Sequence, residues 1–156
     1  MFKKTVLPSG LRILTASMSG TNTVTVLIFV GTGSNHETKQ NNGISHFLEH
    51  MFFKGTHRRP SKVQIASELD GLGAVYNAFT SNEYTGYFAK VGYQYFDRAF
   101  DVVTDIFLNS TLPAEEIERE RGVIIEEMHM RHDDPPSRIG YLWERLLYGD
   151  QPAGWE

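Results

Sequence analysis

The sequence predicts an α+β fold, with a mostly antiparallel sheet packed against helices. Three observations carry this. Strand-like segments come first and are then mixed with helical ones, without the regular alternation of a doubly wound sheet. Thr23–Val30 reads TVTVLIFV, a run dense in β-branched and apolar residues. Phe96, Ala99, Phe100, Val103, Ile106 and Phe107 recur at helical spacing, the mark of an amphipathic helix.

Taken in order, residues 6–8 and 11–16 flank Pro8-Ser-Gly10 and predict a strand pair around a tight turn. Thr23–Val30 is expected as a buried strand ended by Gly31 and Gly33, with residues 34–42 as a polar loop. A helix is expected over residues 43–53, closed by Gly55. Ser61-Lys-Val-Gln64 has the form of a capping box, so a helix should run from there to Leu69, where Gly71 and Gly73 break it. Residues 74–80 and 84–91 read as two strands joined at Ser81-Asn-Glu83.

The amphipathic helix covers residues 93–109. Thr111 and Pro113 then mark a new start, with Glu115 and Glu116 in the first turn, where carboxylates favour the positive end of the helix dipole. This helix carries on to Arg131 and stops at Asp133-Asp-Pro-Pro136; Ser137 is placed to cap a last helix through Leu147. Trp143 with Leu142, Leu146 and Leu147 reads as core packing of that helix.

A chain of 156 residues, 40% hydrophobic and 22% charged, fits one domain with its own core. A formal charge of -4 gives no general pull towards nucleic acid or anionic membrane. Lys54, His57, Arg58 and Arg59 form the one local basic cluster, in a loop bounded by Gly55 and Pro60, and are read as solvated. No apolar run approaches the roughly 20 residues that span a bilayer.

Met1-Phe-Lys-Lys lacks the apolar core and small-residue cleavage site of a secretory signal, and cytoplasm is the expected compartment. With no cysteine, any metal must be held by histidine and carboxylate. Gly149-Asp-Gln-Pro-Ala-Gly-Trp-Glu156 follows a helical stretch in loop-like sequence, so the chain is expected to be a piece of a longer one.

The most informative stretch is His46-Phe-Leu-Glu49-His50. On a helix, residues four apart lie one turn above each other, so both imidazoles can reach one ion. Glu49 shares with them an arc of roughly 100°. Two nitrogens suit Zn²⁺, and the carboxylate is placed as a general base. The H-x-x-E-H order reverses H-E-x-x-H and is an inverzincin signature.

A catalytic zinc ordinarily takes three protein ligands, so another must come from elsewhere. The best source is Glu118-Arg-Glu120-Arg-Gly-Val-Ile-Ile-Glu126-Glu127. Glu120 and Glu127, seven apart, share a helix face, and Val123 and Ile124 between them read as inward packing. Glu126 points about 100° away from Glu127. Spacing does not choose between the two, and a solvated acidic face would carry the same residues. His129, His132 and Asp133 read as surface groups.

Several separated motifs resemble the pitrilysin/insulysin family of zinc peptidases, which includes the mitochondrial processing peptidases. They are Leu7-Pro-Ser-Gly-Leu11; Gly43-Ile-Ser-His46 through Gly55-Thr56; Gly73-Ala-Val-Tyr-Asn-Ala-Phe-Thr80 with Glu83-Tyr-Thr85; and Glu118 through Glu127 with Asp133-Asp-Pro135. The resemblance implies one zinc per chain, bound by His46, His50 and Glu127. It makes Glu49 and Glu120 the catalytic carboxylates: Glu49 as base, Glu120 in support of a ligating histidine. Substrate peptide is expected to lie extended along residues 74–80 as an added strand, contacting Asn77 and Ala78.

The implied activity is that of a zinc-dependent endopeptidase acting on peptides or unfolded segments. Family members are longer and built from two related halves. Residues 1–156 are therefore expected to be an N-terminal part that needs a second homologous half or a partner subunit. Association between copies of the chain is also compatible with this reading. Ser45 departs from the pattern, where alanine is more usual. The rival reading is a non-catalytic, metal-binding or structural subunit. Such relatives typically lack a ligand or the base, whereas His46, Glu49, His50 and Glu127 are all present here.

Overall fold

The computed structural model describes residues 2–155. The chain opens with an antiparallel hairpin of β1 (Phe2–Val6) and β2 (Arg12–Ala16), in the register Phe2↔Ala16 and Val6↔Arg12. Its turn is closed by Leu7 N–H to Leu11 O at 2.8 Å and Gly10 N–H to Leu7 O at 2.9 Å. Gly10 sits at φ +87°, where a side chain would be strained. The first strand thus ends at Val6 instead of covering residues 6–8, because residues 7–11 are spent on the turn. The hairpin is a two-stranded sheet of its own, exposed along both strands.

The main sheet has three antiparallel strands in the order β3-β5-β4, from β3 (Thr23–Val30), β4 (Val75–Thr80) and β5 (Thr85–Gly92). β5 is central, pairing Tyr87 with Ile28 on one side and Ala78 on the other. β3, expected to be buried, is buried on one face only. Val26 points into the core while its neighbours Leu27 and Phe29 are exposed, as the two-residue period of a strand covered on one side requires. Among the described residues β4 is hydrogen-bonded to β5 alone, which leaves its other edge free.

One layer of helix covers the sheet. Ile65 and Leu69 of α2 (Lys62–Gly71) and Ala99, Val102, Val103 and Ile106 of α3 (Phe96–Leu108) pack with Val26, Ala78, Tyr87, Ala89 and Val91 of the strands. Each large apolar side chain buried there contributes about 1.5–3 kcal/mol. Ser61 caps α2 through the Gln64 N–H, as its position predicts. A 3-10 turn, Tyr93–Tyr95, takes up the start of the segment expected to be helical.

The motif helix α1 (Ile44–Met51) lies between β4 and the long helix α4 (Ala114–Asp133). α5 (Pro135–Tyr148) follows after a one-residue break. Its cap is Asp134, not Ser137: the Asp134 carboxylate accepts from the Ser137 N–H at 3.1 Å and hydroxyl at 2.6 Å. Proline tolerates the first helical turn, which places the cap directly before Pro135.

Two core expectations fail on these last helices. Trp143 and Leu146 are 61% and 81% exposed, with Leu142 and Leu147 also exposed. Val123 on α4 is exposed as well, and only Ile124 is half-buried. Apolar periodicity marks a face but does not say whether another element covers it. Among the described residues, no helix is long and apolar enough to cross a membrane.

Candidate metal centre

α1 begins without a local cap. Gly43 lies at φ +87° and has no side chain to offer. The orphan N–H groups are instead taken by Glu37, a buried carboxylate from the preceding loop. It accepts from Gly43 N–H at 2.6 Å and Ser45 N–H at 2.8 Å. Ser45 is itself buried, so a small residue suits the site. At the other end the Lys54 N–H closes on Met51 O at 3.0 Å. Gly55 O then accepts from the Thr111 N–H at 3.0 Å, tying the foot of α1 to the segment before α4. Gly55 adopts φ +152°, and a Cβ there would meet Pro60 O at 2.8 Å.

With both helices so held, His46 Nε2 and His50 Nε2 lie 3.2 Å apart. Glu127 Oε2 comes from α4 to 3.7 Å from His46 Nε2 and 3.6 Å from His50 Nε2. Zinc bonds of about 2.0–2.2 Å at tetrahedral angles separate neighbouring donors by about 3.3–3.6 Å. The donor set therefore fits a zinc ion in type and spacing. Glu126 faces solvent with its side chain 77% exposed, so of the two candidates Glu127 alone converges on the histidines.

The three donors are oriented by neighbours. Burial, and then the adjacent His50, lower the His46 pKa below its ordinary value, favouring the neutral imidazole that a metal needs. Arg131 Nη2 donates to Glu127 Oε1 at 2.6 Å, while Oε2 is the oxygen nearest the histidines. Glu120, buried on α4, places Oε1 2.8 Å from His50 Nδ1 and pairs Oε2 with Lys54. Burial would raise the Glu120 pKa, but its bonds to Lys54 and His50 outweigh this and hold it below the usual carboxylate range. Facing that anion, His50 Nδ1 carries the proton and its Nε2 presents a lone pair.

Glu49 is half-buried on the same helix. Its negative charge is felt at His46 and at the buried Tyr87 phenol, which burial and then Glu49 push upward. A cleft of about 640 Å³ adjoins the centre, bordered by His46, Phe47, Thr80, Glu127, Arg131 and Tyr141. The end of β4, at Thr80, thus opens onto the same space as the His46 imidazole. On that strand Asn77 is exposed and Ala78 buried, and the Ala78 N–H donates to Asn77 Oδ1 at 2.9 Å. His129 stays at the surface, 66% exposed.

The chain matches the family model described as Insulinase (Peptidase family M16) over residues 12–149. It belongs to the M16 peptidase family. The resemblance read from the sequence motifs is borne out. A protein of Bacillus subtilis (strain 168) named "Uncharacterized zinc protease YmxG" is 41% identical over 155 residues, 99% of this chain and 38% of that protein. The "Mitochondrial-processing peptidase subunit beta" of Caenorhabditis elegans is 47% identical over 124 residues, 80% of this chain and 27% of that one. Among solved structures, a protease from Helicobacter pylori superposes with a TM-score of 0.92 at 26% identity, covering 99% of this chain and 38% of that one. The chain therefore spans well under half the length of these relatives, and its α+β architecture is that of the family.

Sequence reasoning missed Lys54, Arg131 and Glu37 around the centre, and Arg59 in the loop that follows α1. Of the residues read as a solvated cluster, Arg59 is buried at 6% exposure and Lys54 is half-buried, with its side chain 11% exposed. Only Arg58 of that cluster's two arginines stays at the surface, paired with Asp101. Arg131 stands four residues after Glu127, a helical ion-pair spacing that could have found it. Glu37 has no such signal, because its partners are backbone groups.

Proposed function

We propose that this chain is the metal-bearing part of a zinc-dependent endopeptidase that hydrolyses peptides or unfolded polypeptide segments. The observation that carries the reading is the convergence of His46 Nε2, His50 Nε2 and Glu127 Oε2 from two helices. These residues would hold one zinc ion per chain, whose Lewis acidity polarises a peptide carbonyl and acidifies water. Glu49 accepts the proton of the attacking water and returns one to the leaving amine. Glu120 fixes the tautomer and plane of His50 through Nδ1.

Substrate lies extended along the free edge of β4, contacting Asn77 and Ala78, where the incoming strand takes over the Ala78 N–H from Asn77. Backbone pairing of this kind selects unfolded segments, since a folded protein has no spare strand to offer. A coverage of 38% of the Bacillus relative supports a second homologous half, in the same polypeptide or a partner chain, that closes over the substrate.

Two measurements test this. Metal analysis should find about one zinc per chain, lost in His50→Ala. Hydrolysis of a quenched peptide by the full-length protein should fall by about 10²–10⁴-fold in Glu49→Gln, with zinc retained. Full activity in Glu49→Gln rules out the proposed base.

A further inference from the structure

We propose that Lys54 is a positioning residue of the metal centre, acting through Glu120 on His50 and on the seating of α4 against α1. The inference rests on the reading of His46, His50 and Glu127 as a zinc site.

The geometry forms one chain of contacts. The Lys54 ammonium meets Glu120 Oε2, and Glu120 Oε1 lies 2.8 Å from His50 Nδ1. Both members of the ion pair are removed from water, with side-chain exposures of 11% for Lys54 and 7% for Glu120. A lysine head group is ordinarily solvated, and drawing it inside is unfavourable unless an anion compensates it. Glu120 is that anion.

The Lys54 backbone is held as firmly as its side chain. Its N–H closes the end of α1 on Met51 O at 3.0 Å, and the next residue, Gly55, accepts from both the N–H and the hydroxyl of Thr111 just before α4. Lys54 therefore springs from the junction of the two helices that carry the donors and reaches across to the second. A carboxylate bound by one hydrogen bond can still turn about its own axis. With Oε2 held by the ammonium, Glu120 presents Oε1 to the imidazole in one orientation.

Buried ion pairs add little net stability compared with apolar side chains of the same shape, so stability alone is a poor reason for Lys54 to be inside. Orientation is a better one. Groups that orient metal ligands typically affect metal affinity by about 10–100-fold when removed. Lys54 stands one bond further out, so the expected loss is about tenfold, at the low end of that range.

The test is a double-mutant cycle read as zinc affinity, measured by competition with a chromophoric chelator on the full-length protein. Lys54→Met should weaken zinc binding by about tenfold, and Lys54→Arg should recover most of it. In a Glu120→Gln background, Lys54→Met should have no further effect, because its partner anion is gone. If Lys54→Met does not fold, Lys54→Gln, which keeps a hydrogen bond without the charge, takes its place in the cycle. Unchanged zinc affinity in a folded Lys54 variant, or equal losses in both backgrounds, overturns the inference while leaving the zinc site intact. A wild-type protein that binds no zinc overturns the metal-site reading and this inference with it.

Discussion

Arg59→Met probes the ion-pair network that holds the loop after α1, and its cost can be worked from the contacts. The guanidinium donates to Glu68 at 2.7 and 3.1 Å, to Asp101 at 2.6 Å and to Asp105 at 2.7 Å. These carboxylates are not equal. Glu68 keeps Arg98 and the more exposed Asp101 keeps Arg58, so each loses a partner worth about 0–1 kcal/mol. Asp105 is different, with its side chain only 1% exposed and, among the described residues, no salt bridge to a cation other than Arg59.

Stripping the cation from a buried pair costs about 3–5 kcal/mol. Asp105 retains Thr56 Oγ1 at 2.7 Å and Asn109 Nδ2 at 2.9 Å, which places the loss near the lower bound. The expected destabilisation is about 3 kcal/mol, a large share of the about 5–15 kcal/mol that holds a domain together. Urea unfolding at neutral pH should show a lower midpoint at unchanged slope. Adding Asp105→Asn should restore part of the loss, because the uncompensated charge is then gone. A loss under about 1 kcal/mol, or no recovery in the double variant, would refute the argument that Asp105 is the costly partner.

Other expectations follow from the same structure. Glu37→Ala should cost about 1–2 kcal/mol in thermal or urea unfolding, since it strips the carboxylate that accepts from Gly43 N–H and Ser45 N–H at the first turn of α1. Lowering the pH should unfold the protein as the carboxylates of Glu68, Asp101, Asp105 and Glu120 are protonated. Their partners depress each pKa below the ordinary 3.8 for Asp or 4.5 for Glu, so the stability they give is full above those values. It is lost as pH falls through the depressed ones, an order that a circular-dichroism pH titration checks. Removing zinc with a chelator should lower the unfolding midpoint, and resupply at about 100 times Kd should return about 2.7 kcal/mol. Ala78→Pro, which deletes an N–H on the free edge of β4, should raise KM for peptide hydrolysis while zinc content stays the same.

Much of this was legible in the sequence, for reasons of distance along the chain. The H-x-x-E-H order placed His46, Glu49 and His50 on one helix because helical geometry is local, and the α1 they occupy runs Ile44–Met51. Thr23–Val30 was readable as a strand to the residue, and Ser61 as a cap, because each signal sits inside the element it governs. Where a boundary depended on turn chemistry the reading slipped, as at β1 and at Asp134.

Burial was harder. Leu146 and Trp143 have the spacing of a packed face yet lie open, while Lys54 and Arg59 look like surface residues yet lie inside. Composition and periodicity describe an element's own faces, and partners decide which face is covered.

The sequence by itself determined the family and the α+β layout, and it named His46, His50 and, through the resemblance, Glu127 as candidate donors, since these rest on local pattern and recurring motifs. Spacing left Glu126 and Glu127 open and the motif resemblance favoured Glu127; the packing of α4 on α1 is what physically turns Glu127 rather than Glu126 towards the imidazoles. The same packing brings Lys54 to Glu120 and Glu120 to His50. Contacts between residues about seventy positions apart are set by how helices seat on one another, and no period along the chain encodes that.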